Sequence, residues 1–123
     1  MKGTRPKVQV MRFEDLDVWK RSSRLSVSIY KELANCKDFG FKDQITRSSL
    51  SIPSNIAEGF ERSTNKDSNK FFYYSKGSCG ELRTQIYIGI EIGYIKKETG
   101  IIWKTETEQL SKMLFSLIKS RST

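Results

Sequence analysis

The sequence contains no histidine. Imidazole is the commonest general acid and base near neutral pH, and it activates most serine and cysteine nucleophiles. Its absence excludes Ser-His and Cys-His catalysis and every metal site that needs an imidazole ligand. The residues therefore favour a protein that binds a partner over one that catalyses a reaction.

Cysteine is scarce too, and the two cysteines, Cys36 and Cys79, form no CxxC pair. This spacing predicts two reduced thiols rather than a zinc or redox site, so we expect no metal and no cofactor. Long hydrophobic runs are also missing. We therefore expect no secretory signal and no membrane-spanning segment. The sequence thus predicts a cytoplasmic protein with no membrane partner.

Positive charge is what the sequence has in excess: 22 Lys and Arg against 14 Asp and Glu give a net charge of +8. This balance predicts a polyanionic partner such as rRNA or another nucleic acid, although many basic proteins bind none. The chain length of 123 residues suits one domain. Residues 1–12 carry Lys2, Arg5, Lys7 and Arg12 without an acid, and we interpret them as a basic N-terminal arm.

Apolar residues recur at steps of three and four in the rest of the chain, which predicts four amphipathic helices. Their approximate bounds are 15–35, 41–61, 67–94 and 99–120. Because short connections make consecutive helices antiparallel, the predicted fold over residues 13–121 is all-α, an up-down-up-down four-helix bundle. Pro53 lies inside the second helix and predicts a kink near Ser49 or Leu50.

The third helix has a predicted core stripe rich in small residues: Phe71, Ser75, Ser78, Leu82, Ile86, Gly89 and Gly93. Glycine and serine are weak helix formers, so we expect tight packing to compensate. Isoleucines at alternate positions from 86 to 92 leave a strand as the alternative. The helical period on both sides favours the helix.

The segment at 44–59, QITRSSLSIPSNIAEG, closely resembles the motif of the 23S rRNA intervening-sequence protein family. Three further segments agree in order: FEDLDVWK at 13–20, GSCGEL at 77–82 leading into QIYIGIEIGYI at 85–95, and QLSKMLFSLIKS at 109–120. The resemblance covers residues 13–120. It implies a left-handed four-helix bundle without enzymatic activity that assembles into a homo-oligomer, a pentameric ring. Related accessory proteins of retroelements bind nucleic acid and a reverse transcriptase, so a protein partner is the alternative.

The motif supplies candidate structural residues: Ser51, Ile52, Pro53, Asn55, Glu58 and Gly59. Glu58 can pair with Arg62 one turn on, or reach back toward Arg47. We interpret these polar groups as a buried network that fixes the register between helices or subunits, with ligand binding as the alternative.

Two stripes of cations are candidate nucleic-acid contacts, together with Arg5 and Lys7 of the arm. The first helix carries Lys20, Arg24 and Lys31 on one side. The third helix carries Tyr73, Lys76, Arg83 and Tyr87. Aromatic rings among cations suit stacking on bases and neutralisation of phosphates. The competing interpretations are a solvated face on the first helix and, on the third, a subunit interface with the cations at its rim.

Overall fold

The structure, a computed structural model, describes residues 11–122. A short 3₁₀ helix at Phe13–Asp15 precedes four α-helices, and no strand occurs in this part of the chain. The helices are α1 (Asp17–Glu32), α2 (Phe39–Phe60), α3 (Asn65–Glu91) and α4 (Lys97–Arg121). The all-α class and the four-helix bundle are therefore confirmed, and the strand alternative for 86–92 is wrong.

The helix ends have local causes. The side chain of Asp38 accepts a hydrogen bond from the Phe41 N–H at 3.1 Å, and Thr64 accepts one from Asp67 N–H at 3.1 Å, so these residues cap α2 and α3. Gly93 has a φ of 87°, in the left-handed region that favours glycine. This turn explains why α3 ends at Glu91, before the predicted residue 94.

Each helix packs along the next one in the chain: α1 along α2, α2 along α3, and α3 along α4. α1 meets α4 over a shorter stretch, and within residues 11–122 its backbone does not come close to that of α3. Asn69, near the start of α3, donates to the Ile118 carbonyl near the end of α4 at 3.2 Å. These contacts are consistent with the up-down-up-down order, which, like the left-handed sense, stays a prediction.

The core is built mainly from isoleucine and leucine. The large apolar side chains with no exposed surface are Ile29, Ile45, Ile52, Ile56, Phe72, Leu82, Ile86, Leu110 and Leu114. Full burial of each stabilises the fold by roughly 1.5 to 3 kcal/mol before entropic costs.

The predicted core stripe of α3 was wrong at its two ends. Phe72 is buried where Phe71 was expected, and Gly93 is exposed. Phe72 fits because Gly59 of α2 leaves room: a Cβ on Gly59 would lie 2.7 Å from the Phe72 ring. Phe71 is half-buried instead, with the Arg62 guanidinium 4.5 Å from its ring centroid.

Buried serines line the seams of α2. The hydroxyls of Ser26 and Ser49 lie 2.9 Å apart between α1 and α2, and Ser75 of α3 donates to the Ile52 carbonyl at 2.9 Å. Small side chains that satisfy their own polar groups allow the helices to approach closely. α2 runs through Pro53 as one helix, and the kink near it stays a prediction.

No described helix contains an apolar stretch of the length that a lipid bilayer would require.

Candidate nucleic-acid interface

Two grooves follow the seam between α3 and α4. The first, of about 760 Å³, is lined by Lys66, Lys70 and Tyr73 of α3 and by Arg121 of α4, among others. The second, of about 420 Å³, is lined by Lys76 of α3 and by Lys112 and Phe115 of α4. Because Lys76 lies one helical turn beyond Tyr73, the grooves follow each other along α3. We call them together the basic groove; its cations are Lys66, Lys70, Lys76, Lys112 and Arg121.

The cations of the basic groove are not neutralised by the bundle. None has an acidic side chain within 4.0 Å among residues 11–122. Asp67 is the one carboxylate among the groove-lining residues of the described chain. Charges spaced within about a Debye length of each other, roughly 8 Å at physiological salt, combine into a field that attracts polyanions.

Exposed aromatic rings alternate with these charges. Tyr73 and Phe115 are both more than half exposed, at 56% and 52%. The guanidinium of Arg121, which lines the groove, lies 5.4 Å from the centroid of the buried Phe72 ring, a cation–π contact. Rings of this kind offer planar faces on which unpaired bases can stack.

Of the four candidate residues predicted on α3, some line the basic groove and others lie outside it. Tyr73 and Lys76 both line the basic groove. Arg83 is half-buried, and its Nε donates to the buried Thr107 hydroxyl of α4 at 3.1 Å, so it belongs to the same seam. Tyr87 is exposed farther along α3, outside the basic groove.

Sequence reasoning missed Lys66, Lys70, Lys112, Phe115 and Arg121. Lys66 and Lys70 precede Tyr73 at helical spacing, and this signal was available in the sequence. The α4 residues become neighbours of α3 only through the packing of the two helices.

The stripe predicted on α1 lies elsewhere. Lys20, Arg24 and Lys31 are exposed on α1, and none of them lines the basic groove. Arg5, Lys7 and most of the basic arm lie outside the described residues.

The motif residues form the contact between α2 and α3. The Ser51 hydroxyl donates to Ser78 of α3 at 2.6 Å, and Asn55 donates to the Ser51 carbonyl at 2.9 Å. Ile52, Pro53 and Gly59 are buried. Glu58 is exposed and pairs with Arg62 at 2.5 Å, so it stands outside this network.

Arg47 is not the partner of Glu58. It pairs with Asp43 at 2.9 Å, one turn earlier on α2. The two exposed pairs are separate i,i+4 contacts and do not bridge Pro53.

A second surface is apolar and lies between α1 and α2. Val27, Tyr30 and Leu50 are exposed around a groove of about 480 Å³ whose lining includes the buried Pro53. Exposed apolar side chains of this kind are typical of protein contacts.

Cys79 is a buried thiol, and the described residues hold no metal cluster. Burial raises the pKa of the Cys79 thiol to about 12, so it is not a thiolate near neutral pH. No group of three or more Cys, Asp or Glu side chains in residues 11–122 is arranged to hold a metal ion.

The sequence profile described as 23S rRNA-intervening sequence protein matches residues 14–116. A crystal structure of a protein of unknown function from the S23 ribosomal protein family of Bacteroides thetaiotaomicron is 28% identical, with a TM-score of 0.78. The match covers 83% of this chain and 98% of that chain. A comparison with curated proteins gives no match.

Proposed function

We propose that this chain, which belongs to the 23S rRNA-intervening sequence protein family, is a non-enzymatic bundle that binds RNA through the basic groove. The observation that carries the proposal is the set of unneutralised cations along one helix seam, with Tyr73 and Phe115 exposed among them. The family description names no ligand, so RNA as the polyanion rests on the charges and aromatic rings of the basic groove.

The chemistry of the basic groove suits the RNA backbone rather than its sequence. Lysine is a flexible point charge that neutralises phosphates without distinguishing the bases. Tyr73 and Phe115 would stack on any exposed base, because every base has a flat face. We therefore expect tight binding at low salt and little sequence preference.

Homo-oligomerisation is part of this proposal. The exposed apolar residues between α1 and α2 support a subunit contact, and several copies of a weak basic groove would bind one RNA with higher avidity. The pentameric ring and the cytoplasmic location stay predictions.

The experiment compares two double variants in a salt series with a structured rRNA fragment, read by fluorescence anisotropy. Lys76→Ala/Lys112→Ala removes two cations from the basic groove, and Lys20→Ala/Arg24→Ala removes two from α1. We expect the groove variant to reduce the slope of log affinity against log salt by about 1.5 to 2, and the control to change it little. Absence of binding at the lowest salt, or equal losses in both variants, would overturn the proposal.

A second candidate function is a protein-interaction scaffold or accessory subunit, for example of a reverse transcriptase. The apolar groove between α1 and α2 favours it, because a groove lined by Val27, Tyr30 and Leu50 suits a protein better than a polyanion. Binding of a purified partner that resists nuclease and is lost in Leu50→Asp would favour this function over RNA binding.

A further inference from the structure

Two hydrogen bonds fix the register of α3 against α4. Near the start of α3, Asn69 donates to the Ile118 carbonyl at 3.2 Å. Farther along α3, Arg83 donates to the Thr107 hydroxyl of α4 at 3.1 Å. From the first contact to the second the numbering rises along α3 and falls along α4. A residue shortly after Asn69 therefore lies across the seam from a residue shortly before Ile118.

This register places Tyr73 of α3 across the seam from Phe115 of α4, and both rings are more than half exposed. Neither takes part in a ring–ring or cation–ring contact within residues 11–122. Phe71 differs, because the Arg62 guanidinium lies 4.5 Å from its ring centroid and the Tyr74 ring lies 5.5 Å away. We call Tyr73 and Phe115 the aromatic pair; no other ring or cation of the described bundle stacks on it.

Cations lie on both sides of the aromatic pair along the seam. On α3, Lys70 precedes the ring by three residues and Lys76 follows it by three, which is about 4.5 Å along the helix axis in each direction. On α4, Lys112 and Arg121 line the groove before and after the other ring. A nucleoside within a strand likewise has a phosphate on each side. Rings with cations before and after them therefore match the order of base and backbone in a single strand.

A duplex fits the aromatic pair poorly. The bases of A-form RNA are stacked inside the helix, and its surface presents phosphates, 2′-hydroxyls and base edges. An exposed ring can stack on such a base only after the base leaves the duplex, which costs the free energy of unpairing and unstacking. In an unpaired segment the base faces are already accessible, so this cost is small.

We propose that the basic groove takes an unpaired RNA segment in preference to a duplex, with bases stacked on Tyr73 and Phe115 and phosphates at the cations on either side. This preference rests on the proposed function and names the class of RNA that the groove binds: single strands, loops and bulges. The lysines attract both forms through their phosphates, so the discrimination comes from the aromatic pair.

The first test compares one short labelled RNA of a sequence that forms no hairpin, as a single strand and annealed to its complement, by fluorescence anisotropy at one salt concentration. Charge alone favours the duplex, because its phosphates are more densely spaced. We expect the single strand to bind about tenfold tighter, since stacking on one ring is worth about that factor in affinity.

The outcomes of this comparison separate the two proposals. Equal binding of both forms, or tighter binding of the duplex, would overturn the preference for unpaired RNA and leave RNA binding by the groove intact. Absence of binding to either form at low salt would overturn both.

The second test removes the rings one at a time. Tyr73→Ala and Phe115→Ala should each weaken binding of the single strand about tenfold and leave binding of the duplex unchanged. The slope of log affinity against log salt should stay the same, because neither variant removes a cation. Tyr73→Phe keeps the ring and should bind as the natural protein does.

The matched control is Tyr87→Ala, which removes another half-exposed tyrosine of α3 that lies outside the basic groove. It should keep the natural affinity for both forms. Circular dichroism should show retained helix in every alanine variant, since alanine is the best helix former. Unchanged affinity in both ring variants, an equal loss in Tyr87→Ala, or equal losses for single strand and duplex would overturn the role of the aromatic pair.

Discussion

Arg21 and Glu106 form a bidentate ion pair that joins α1 to α4. Arg21 Nη2 lies 2.6 Å from Glu106 Oε1, and Nε lies 2.8 Å from Oε2. The hydrogen bond to Glu106 raises the pKa of Arg21 above its ordinary value, so the guanidinium stays charged. Since α1 and α4 meet over a short stretch, this pair links two helices with few other contacts.

Loss of the Glu106 charge should loosen this seam. We expect Glu106→Gln to lower the free energy of unfolding by about 1 to 2 kcal/mol, because a charge-assisted bidentate contact is lost at a half-buried site. Urea denaturation measures the change. The control is Asp43→Asn, which breaks the more exposed Arg47 pair and should cost at most about 0.5 kcal/mol. Equal losses in the two variants would contradict a special role for the seam.

Acid should weaken the cap of α2. The Phe41 N–H and then the Tyr94 hydroxyl, 2.9 Å away, hold the pKa of Asp38 below its ordinary value of 3.8. A lowered pKa adds stability above pH 3.8 that is lost as pH falls through the folded-state value. In Asp38→Asn, which keeps a capping side chain, thermal midpoints should fall less steeply with acid. A parallel decline in both proteins would refute this assignment.

The hydrogen bond between Tyr94 and Asp38 should also make stability depend on pH in alkali, where its contribution is lost as pH rises. The hydrogen bond to Asp38 raises the pKa of Tyr94 above 10.0, so its contribution is complete below that pH and is lost above the folded-state value. Tyr94→Phe should remove this alkaline part of the thermal midpoint profile and leave the neutral range flat.

Gly59 should not tolerate a side chain. A methyl group there would lie 2.7 Å from the Phe72 ring and 2.9 Å from the Ser68 carbonyl, so Gly59→Ala forces α2 and α3 apart. We expect a loss of about 1 to 3 kcal/mol in unfolding free energy. Gly40→Ala is the comparison, because its nearest neighbour, Asp38 Oδ1, is 3.7 Å away and it should change stability little. A neutral Gly59→Ala would mean that Phe72 can move.

The thiol of Cys79 should not react with alkylating reagents in the folded chain. Burial raises its pKa to about 12, and alkylation needs an accessible thiolate. In a Cys36→Ser variant, we expect mass spectrometry to find no iodoacetamide adduct until the protein is unfolded. Rapid native labelling of Cys79 would reopen the question of a nucleophile.

The sequence predicted the four helices because each has a long apolar face, but it misplaced Phe72. Phe71 and Phe72 are adjacent and both lie near the core side of α3. The space above Gly59, on another helix, decides which ring is buried. Periodicity within one segment does not contain that information.

The candidate site was likewise predictable only where its residues share one helix. Tyr73 and Lys76 follow from the spacing along α3, whereas Lys112, Phe115 and Arg121 join them through the pairing of α4 with α3. The polar contact between Ser51 and Ser78 likewise depends on two helices. The packing of one helix against another therefore determines which residues of different helices become neighbours, and the pattern within one helix does not predict this.

The limited attachment of α1 has a dynamic consequence. α1 packs along α2 but meets α4 over only a short stretch, whereas α3 packs extensively along both α2 and α4. Local opening starts where the fewest buried contacts must break. We expect amide hydrogens of α1 to exchange with deuterium at a lower opening free energy than those of α3. The bundle would then open first by releasing α1 from a three-helix unit that remains folded.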